Sequence, residues 1–214
     1  GHPPLVGLGP SLATLALLVS LGFLLLRALG ASPAVGLLLA PTAAALLGLG
    51  LWLGLEPASD APIYRAPWLA VHVLLSFLGY AGLVVAAAAS LMYLLQFREL
   101  KRKRFGAVFQ FFPDLESLDR ISGRALLAGF AALTLGLAVG AAWTLSFDLR
   151  PRWNVPQVVW GILTWFVFLA ALAARAAAGW MGPRRAWLNL AGFLAVLVAY
   201  FVLKWNAPGA RFFL

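Results

Sequence analysis

The chain has 214 residues, 63% of them hydrophobic and 11% charged, with a net charge of +9. A soluble domain carries roughly 25% charged residues, so this composition excludes an ordinary water-soluble fold and indicates a protein built for lipid. The lack of cysteine excludes disulfides, thiolate zinc sites, dithiol redox chemistry and a covalent haem-attachment motif.

Six apolar segments follow one another, near 11–30, 33–55, 67–97, 123–146, 156–178 and 184–205. Each reaches the roughly 20 residues that a membrane helix needs. Pro33, Pro67, Pro156 and Pro183 stand at or near helix starts, where a missing N–H costs nothing. Pro41 falls inside the second segment and predicts a kink there. Gly36, Gly48, Gly50 and Gly54 suit either close helix packing or a lipid-facing surface. The expectation is an all-α polytopic membrane bundle, one domain over 1–214, with no internal repeat. His2 lies in Gly1–Pro4, a stretch without an initiator methionine, and reads as an expression remnant rather than a ligand.

Cations set the predicted orientation. Connections after segments one, three and five, with their flanks, hold Arg27, Arg98, Lys101, Arg102, Lys103, Arg104, Arg120, Arg124, Arg175, Arg184 and Arg185, which is eleven of the sixteen. Clustered at the ends of apolar runs, they indicate topology and not nucleic-acid binding. The bias puts both termini outside a bacterial plasma (inner) membrane and the 98–122 connection in the cytoplasm. Within that connection, Phe105, Phe109, Phe111 and Phe112 are expected among headgroups. Residues 113–121 read as a short amphipathic helix, with Asp114 and Glu116 at its N-terminal end. Arg98, Lys101, Arg102, Lys103, Arg104, Glu116, Asp119 and Arg120 form either a docking surface for a soluble partner or a solvated turn.

The third segment carries His72, the one group in about thirty residues that titrates near neutral pH. At 1.5 Å per residue it lies roughly 7–8 Å inside the start of the segment. His72, Ser76, Tyr80, Leu83, Ala87 and Ser90 recur at steps of three and four and share a helix face. A small polar stripe of this kind is expected to point into the bundle. Trp52, Trp68, Trp143, Trp153, Trp160 and Trp205, six of nine indoles, gather on the side of His72. Trp165 continues that series deeper. Two readings of His72 stay open: a cofactor or ion ligand, since neutral imidazole is a common axial ligand of haem iron, or an interhelical hydrogen bond. No nucleophile–base pair, phosphate loop or intramembrane carboxylate points to an enzyme or an ion-coupled transporter.

The run Trp68-Leu-Ala-Val-His72-Val-Leu-Leu-Ser76-Phe-Leu-Gly-Tyr80-Ala81 resembles the histidine-bearing helix of the CcsA/CcmC-type cytochrome c assembly proteins and the related HemX proteins. Met92 to Phe105, Phe112 to Arg124 and the blocks at Leu126–Phe130 and Leu133–Trp143 are similar to the HemX end of that group. The similarity covers about residues 67–195. In cytochrome c assembly members a tryptophan-rich signature cradles haem on the outer side. Here Pro156, Trp160, Thr164 and Trp165 keep its frame, while Asn154, Val155 and Val158 replace its Trp-Asp and glutamate. The family's second membrane histidine would fall near Ala174. The resemblance therefore implies a HemX-type auxiliary of tetrapyrrole synthesis acting on glutamyl-tRNA reductase through the 98–122 connection. It implies haem b on the outer side, held by His72, Ser76, Tyr80, Trp68, Trp153, Trp160 and Trp165. A haem-handling component of cytochrome c maturation and a cofactor-free membrane scaffold are the alternatives.

Overall fold

A computed structural model describes residues 8–55, 67–103, 106, 111–146, 156–177 and 182–206. They form helices α1 (Leu8–Ala28), α2 (Gly36–Trp52, preceded by a 3-10 turn Pro33–Val35), α3 (Pro67–Lys101), α4 (Leu115–Ser146), α5 (Pro156–Ala176) and α6 (Gly182–Asn206), with no strand among the described residues. All six are long and apolar enough to cross a membrane, α2 when counted with its 3-10 turn, and the protein is a multi-pass membrane protein. Leu17, Leu25, Leu127, Leu135, Phe166 and Phe201 are more than half exposed, as expected of side chains that meet lipid rather than water.

Local chemistry sets several boundaries. Gly30 closes α1 with φ +86°, a left-handed conformation that glycine adopts without steric cost. Its N–H donates to the Arg27 carbonyl and the Ala31 N–H donates to Leu26, which satisfies two of the orphan carbonyls. The Ser32 hydroxyl then accepts from the Ala34 N–H ahead of Pro33, so the chain turns and starts upward again within four residues. The helix runs on through Pro41. Asp114 caps α4: its carboxylate accepts from the Ser117 N–H at 2.8 Å.

The expected 98–122 connection is shorter than its sequence suggests. α3 continues to Lys101 and α4 starts at Leu115, so the predicted amphipathic helix is the first two turns of the fourth membrane helix. Leu118 and Ile121 are buried there, which holds the segment against the bundle.

α3 is the central element, with its most extensive pairing to α4 and further contacts to α6, α1 and α2. On one side Val84, Val85 and Ala89 pack with Val19 of α1 and with Val35 and Leu39 at the start of α2. On another, Leu83 and Ala86 pack with Leu126, Leu133, Trp160, Phe168 and Val196. The α3–α4 approach is close because glycine lines it. A Cβ on Gly82 would lie 2.8 Å from both the Ala125 carbonyl oxygen and the Gly129 Cα, and one on Gly79 would lie 2.8 Å from the Leu133 Cβ. Small residues at such a seam let two backbones meet without a hydrophobic drive between them.

Candidate functional site: a histidine on the glycine seam

The seam ends at His72. Its Nδ1 lies 2.7 Å from the Gly136 carbonyl oxygen of α4. A carbonyl oxygen only accepts, so Nδ1 carries the proton, and in the neutral ring Nε2 presents its lone pair. Among the described residues Nε2 has no hydrogen-bond partner, and it is not sealed in the interior. The Nδ1–Cε1 edge faces α4: a Cβ on Gly140 would lie 2.7 Å from Nδ1 and 2.8 Å from Cε1. One turn lower, a Cβ on Gly136 would lie 3.1 Å from the Ser76 hydroxyl. Ser76 itself donates back to the His72 carbonyl at 2.8 Å, a bond within its own helix.

A metal-binding histidine characteristically donates its second ring N–H to a carbonyl or carboxylate, which fixes tautomer and orientation. His72 meets that condition through Gly136. The side chains present therefore fit a single-histidine ligand to haem iron. No group of three histidine, cysteine or acidic side chains among the described residues is placed to hold a bare metal ion.

The other expected site residues are dispersed. Tyr80, two turns beyond His72, packs on Trp160 with ring centroids 4.5 Å apart. The indole N–H of Trp160 donates to the Val196 carbonyl at 3.0 Å, which ties α5 to α6. Tyr200 adds a third ring at 5.6 Å from Trp160. Trp165 turns the other way, onto Phe130, and its N–H donates to the Thr134 hydroxyl at 2.9 Å. Trp68 is 61% exposed on the first turn of α3. Trp153 lies outside the described residues. His72 and Ser76 thus belong to the α3–α4 seam, and Tyr80 and Trp160 to an aromatic knot at α3, α5 and α6.

At the opposite end the expected partner surface divides as well. Arg98, Lys101, Arg102 and Lys103 are exposed at the end of α3, with Lys103 at φ +52°, and Arg104 lies outside the described residues. Glu116 and Arg120 form an exposed pair one turn apart at 2.9 Å. Asp119 instead turns inward to Arg175 of α5 at 3.0 Å and Arg185 of α6 at 3.5 Å. Just above it, Asn189 of α6 donates to the hydroxyls of Ser90 at 3.1 Å and Ser122 at 2.8 Å, all three residues being buried. The sequence reading missed this triad. A lone asparagine in an apolar helix was its signal.

The sequence model of the cytochrome C assembly protein family matches residues 5–210. A cytochrome c biogenesis protein CcsA of Prochlorococcus marinus (strain MIT 9312) is 32% identical, over 94% of this chain and 72% of the relative. The CcsA of Guillardia theta is 30% identical, over 72% of this chain and 56% of the relative. That of Chlamydomonas reinhardtii is 31% identical, over 65% of this chain and 38% of the relative. No solved structure matches. These relatives overturn the expectation of a HemX-type regulator of tetrapyrrole synthesis acting through glutamyl-tRNA reductase. That expectation leaned on the blocks from Met92 to Phe105 and Phe112 to Arg124 that resemble the HemX end of the group, and on departures at Asn154, Val155, Val158 and Ala174. The similarity to proteins named for cytochrome c biogenesis runs across nearly the whole chain, α1 and α2 included, and outweighs them.

Proposed function

The chain belongs to the cytochrome c assembly protein family, and from that premise we propose that it handles haem during cytochrome c maturation, with His72 as a ligand to the haem iron. The observation that carries this reading is the hydrogen bond from His72 Nδ1 to the Gly136 carbonyl. It orients the imidazole and leaves Nε2 as the donor atom. Bound haem supplies an iron centre that accepts such a nitrogen. The chain's own contribution is to fix the ring, through Gly136, and to leave room for it, through Gly140. The cation distribution supports an arrangement with both termini outside a bacterial plasma membrane, which sets His72 toward the outer face. Haem b is the form proposed, as cargo, and no catalytic step is assigned to the chain.

The test is haemin titration of the purified protein followed in the Soret region. Wild type is expected to give a saturable Soret band and His72→Ala to lose it. Deletion of the gene should abolish covalent c-type cytochromes, and restoration by His72→Ala as well as by wild type would overturn the role given to the imidazole.

The same hydrogen bond also favours a second reading, in which His72 only ties α3 to α4 in a cofactor-free scaffold. There His72→Ala lowers thermal stability, and neither protein responds to haemin.

A further inference from the structure

Far from His72, where α5 ends and α6 begins, two guanidinium groups share one carboxylate. Asp119 Oδ2 meets Arg175 Nη2 at 3.0 Å and Arg185 Nη1 at 3.5 Å. Arg175 Nη2 also donates to the Asp119 carbonyl at 2.6 Å, and Arg185 Nη2 to the Arg175 carbonyl at 3.3 Å. The Arg175 side chain is 16% exposed and the Arg185 side chain 26%, so the cluster is largely withdrawn from solvent. Two positive charges against one negative leave one uncompensated. Two donors remain open in this cluster: Arg175 Nη1 and Arg185 Nε are buried and have no acceptor among the described residues. A buried cation with orphan N–H groups calls for an anion that offers oxygen acceptors.

The surroundings narrow the anion's identity. The cluster sits at the boundary of two membrane helices, at the end of the bundle where Arg98, Lys101, Arg102, Lys103, Arg120, Arg124 and Arg184 also gather. A basic cluster between helices at that level is where a lipid phosphate binds. Asn189 Oδ1, one turn along α6 from Arg185, is also buried and without a donor, and a headgroup hydroxyl matches it. We propose that Arg175 and Arg185 form an interhelical oxyanion site that takes the phosphodiester headgroup of an anionic phospholipid such as phosphatidylglycerol. The site is independent of haem handling. Asp119 spaces the two guanidinium groups, and the lipid closes the joint between α5 and α6.

The test uses the full chain in detergent, titrated with dioctanoyl phosphatidylglycerol, dioctanoyl phosphatidylcholine or inorganic phosphate, with binding read by native mass spectrometry and thermal shift. Phosphatidylglycerol is expected to bind and stabilise. Its affinity should fall about tenfold in Arg185→Gln and stay unchanged in Arg184→Gln, which alters an exposed neighbour. Arg185→Lys retains the charge and the Asp119 pair but has no Nε–H, so it too should bind about tenfold more weakly, and it decides the matter should Arg185→Gln fail to fold. Equal loss in Arg184→Gln and Arg185→Gln, full affinity in Arg185→Lys, or equal binding of phosphatidylcholine would overturn the site. Equal stabilisation by inorganic phosphate would overturn the lipid as its occupant.

Discussion

Gly140→Ala isolates the orientation of the imidazole from its presence. The added methyl would sit 2.7 Å from His72 Nδ1 and 2.8 Å from Cε1. Non-bonded carbons rest at about 3.5–4.0 Å, so the ring must retreat by roughly 0.7 Å or more. The Nδ1–H···O bond to Gly136 starts at 2.7 Å. A retreat of that size carries it past the roughly 3.2 Å limit of a good N–H···O bond. Overpacking costs about 1–3 kcal/mol and the lost hydrogen bond about 0.5–1.5 kcal/mol. Nε2 moves with the ring and is freed to rotate. At 1.4 kcal/mol per factor of ten, and with the ring returned to its place on binding, haemin affinity should fall about ten- to a thousandfold while His72 itself is intact. The assay is the Soret titration, paired with thermal unfolding. Gly48→Ala is the control, because a Cβ there meets nothing within 4 Å. Were Gly140→Ala to bind haemin within twofold of wild type while His72→Ala fails, the carbonyl-held tautomer would not be what prepares the ligand.

Three further outcomes follow from other contacts. Gly82→Ala should destabilise the bundle by about 1–3 kcal/mol in detergent unfolding, since its methyl meets backbone that cannot give; wild-type stability there would mean that the α3–α4 seam is looser than described. Asp119→Ala leaves Arg175 and Arg185 facing each other, and with all three groups partly exposed the cost should be about 1–3 kcal/mol, below the 3–5 of a fully buried pair; the measurement is the same unfolding curve, with Arg120→Ala, from the exposed pair, expected to change it by under about 1 kcal/mol. The Asp114 carboxyl is held below the usual carboxylate range by hydrogen bonds from Ser117. A lowered folded-state value means that the cap contributes fully above the unfolded value of about 3.9 and is lost as pH falls through the folded one. Asp114→Asn should therefore flatten the acid limb of the stability curve at little cost near pH 7, whereas Asp114→Ala should cost about 1 kcal/mol there.

The six spans were legible because lipid imposes one simple requirement, about 20 apolar residues without a break, and because proline marks several starts. The start of α4 was not. Residues 113–121 read as a short amphipathic helix in a connection that was either a docking surface or a solvated turn, and the arginines that draw Asp119 inward lie 56 and 66 residues away. No local pattern carries a pairing of that range. The dispersal of the aromatic residues was open to sequence reasoning. Trp160 and Trp165 are five residues apart, roughly 140° around a helix, so they cannot line one shelf. His72 stood out as a lone imidazole in an apolar run. Its partner on α4 was announced only by Gly136-x-x-x-Gly140, a small-residue spacing that marks close approach without saying what fills it.

If His72 ligates haem as proposed, the same helix geometry limits which other residues could supply a second ligand. Tyr80 lies about 12 Å along α3 from His72 and stacks on Trp160, and Met92 lies about 30 Å along and is sealed among Tyr93, Leu118 and Ala186. Ala174, where the resemblance would set another histidine, is buried next to Arg175, about 21 Å along α5 from Trp160 and at the Asp119 end of the bundle. A histidine there could not share one iron with His72. Tyr64 lies outside the described residues, so under that proposal it or a solvent-derived molecule would supply the second ligand. A single protein ligand is the arrangement suited to cargo, because one bond is easier to give up than two. The haemin-loaded protein should then show a spectrum that added imidazole converts to a bis-imidazole form, and Tyr64→Phe should leave the starting spectrum unchanged. A wild-type spectrum already of the bis-imidazole type, and indifferent to added imidazole, would show that a second histidine completes the site, and His2→Ala would then tell whether it is His2, which lies outside the described residues.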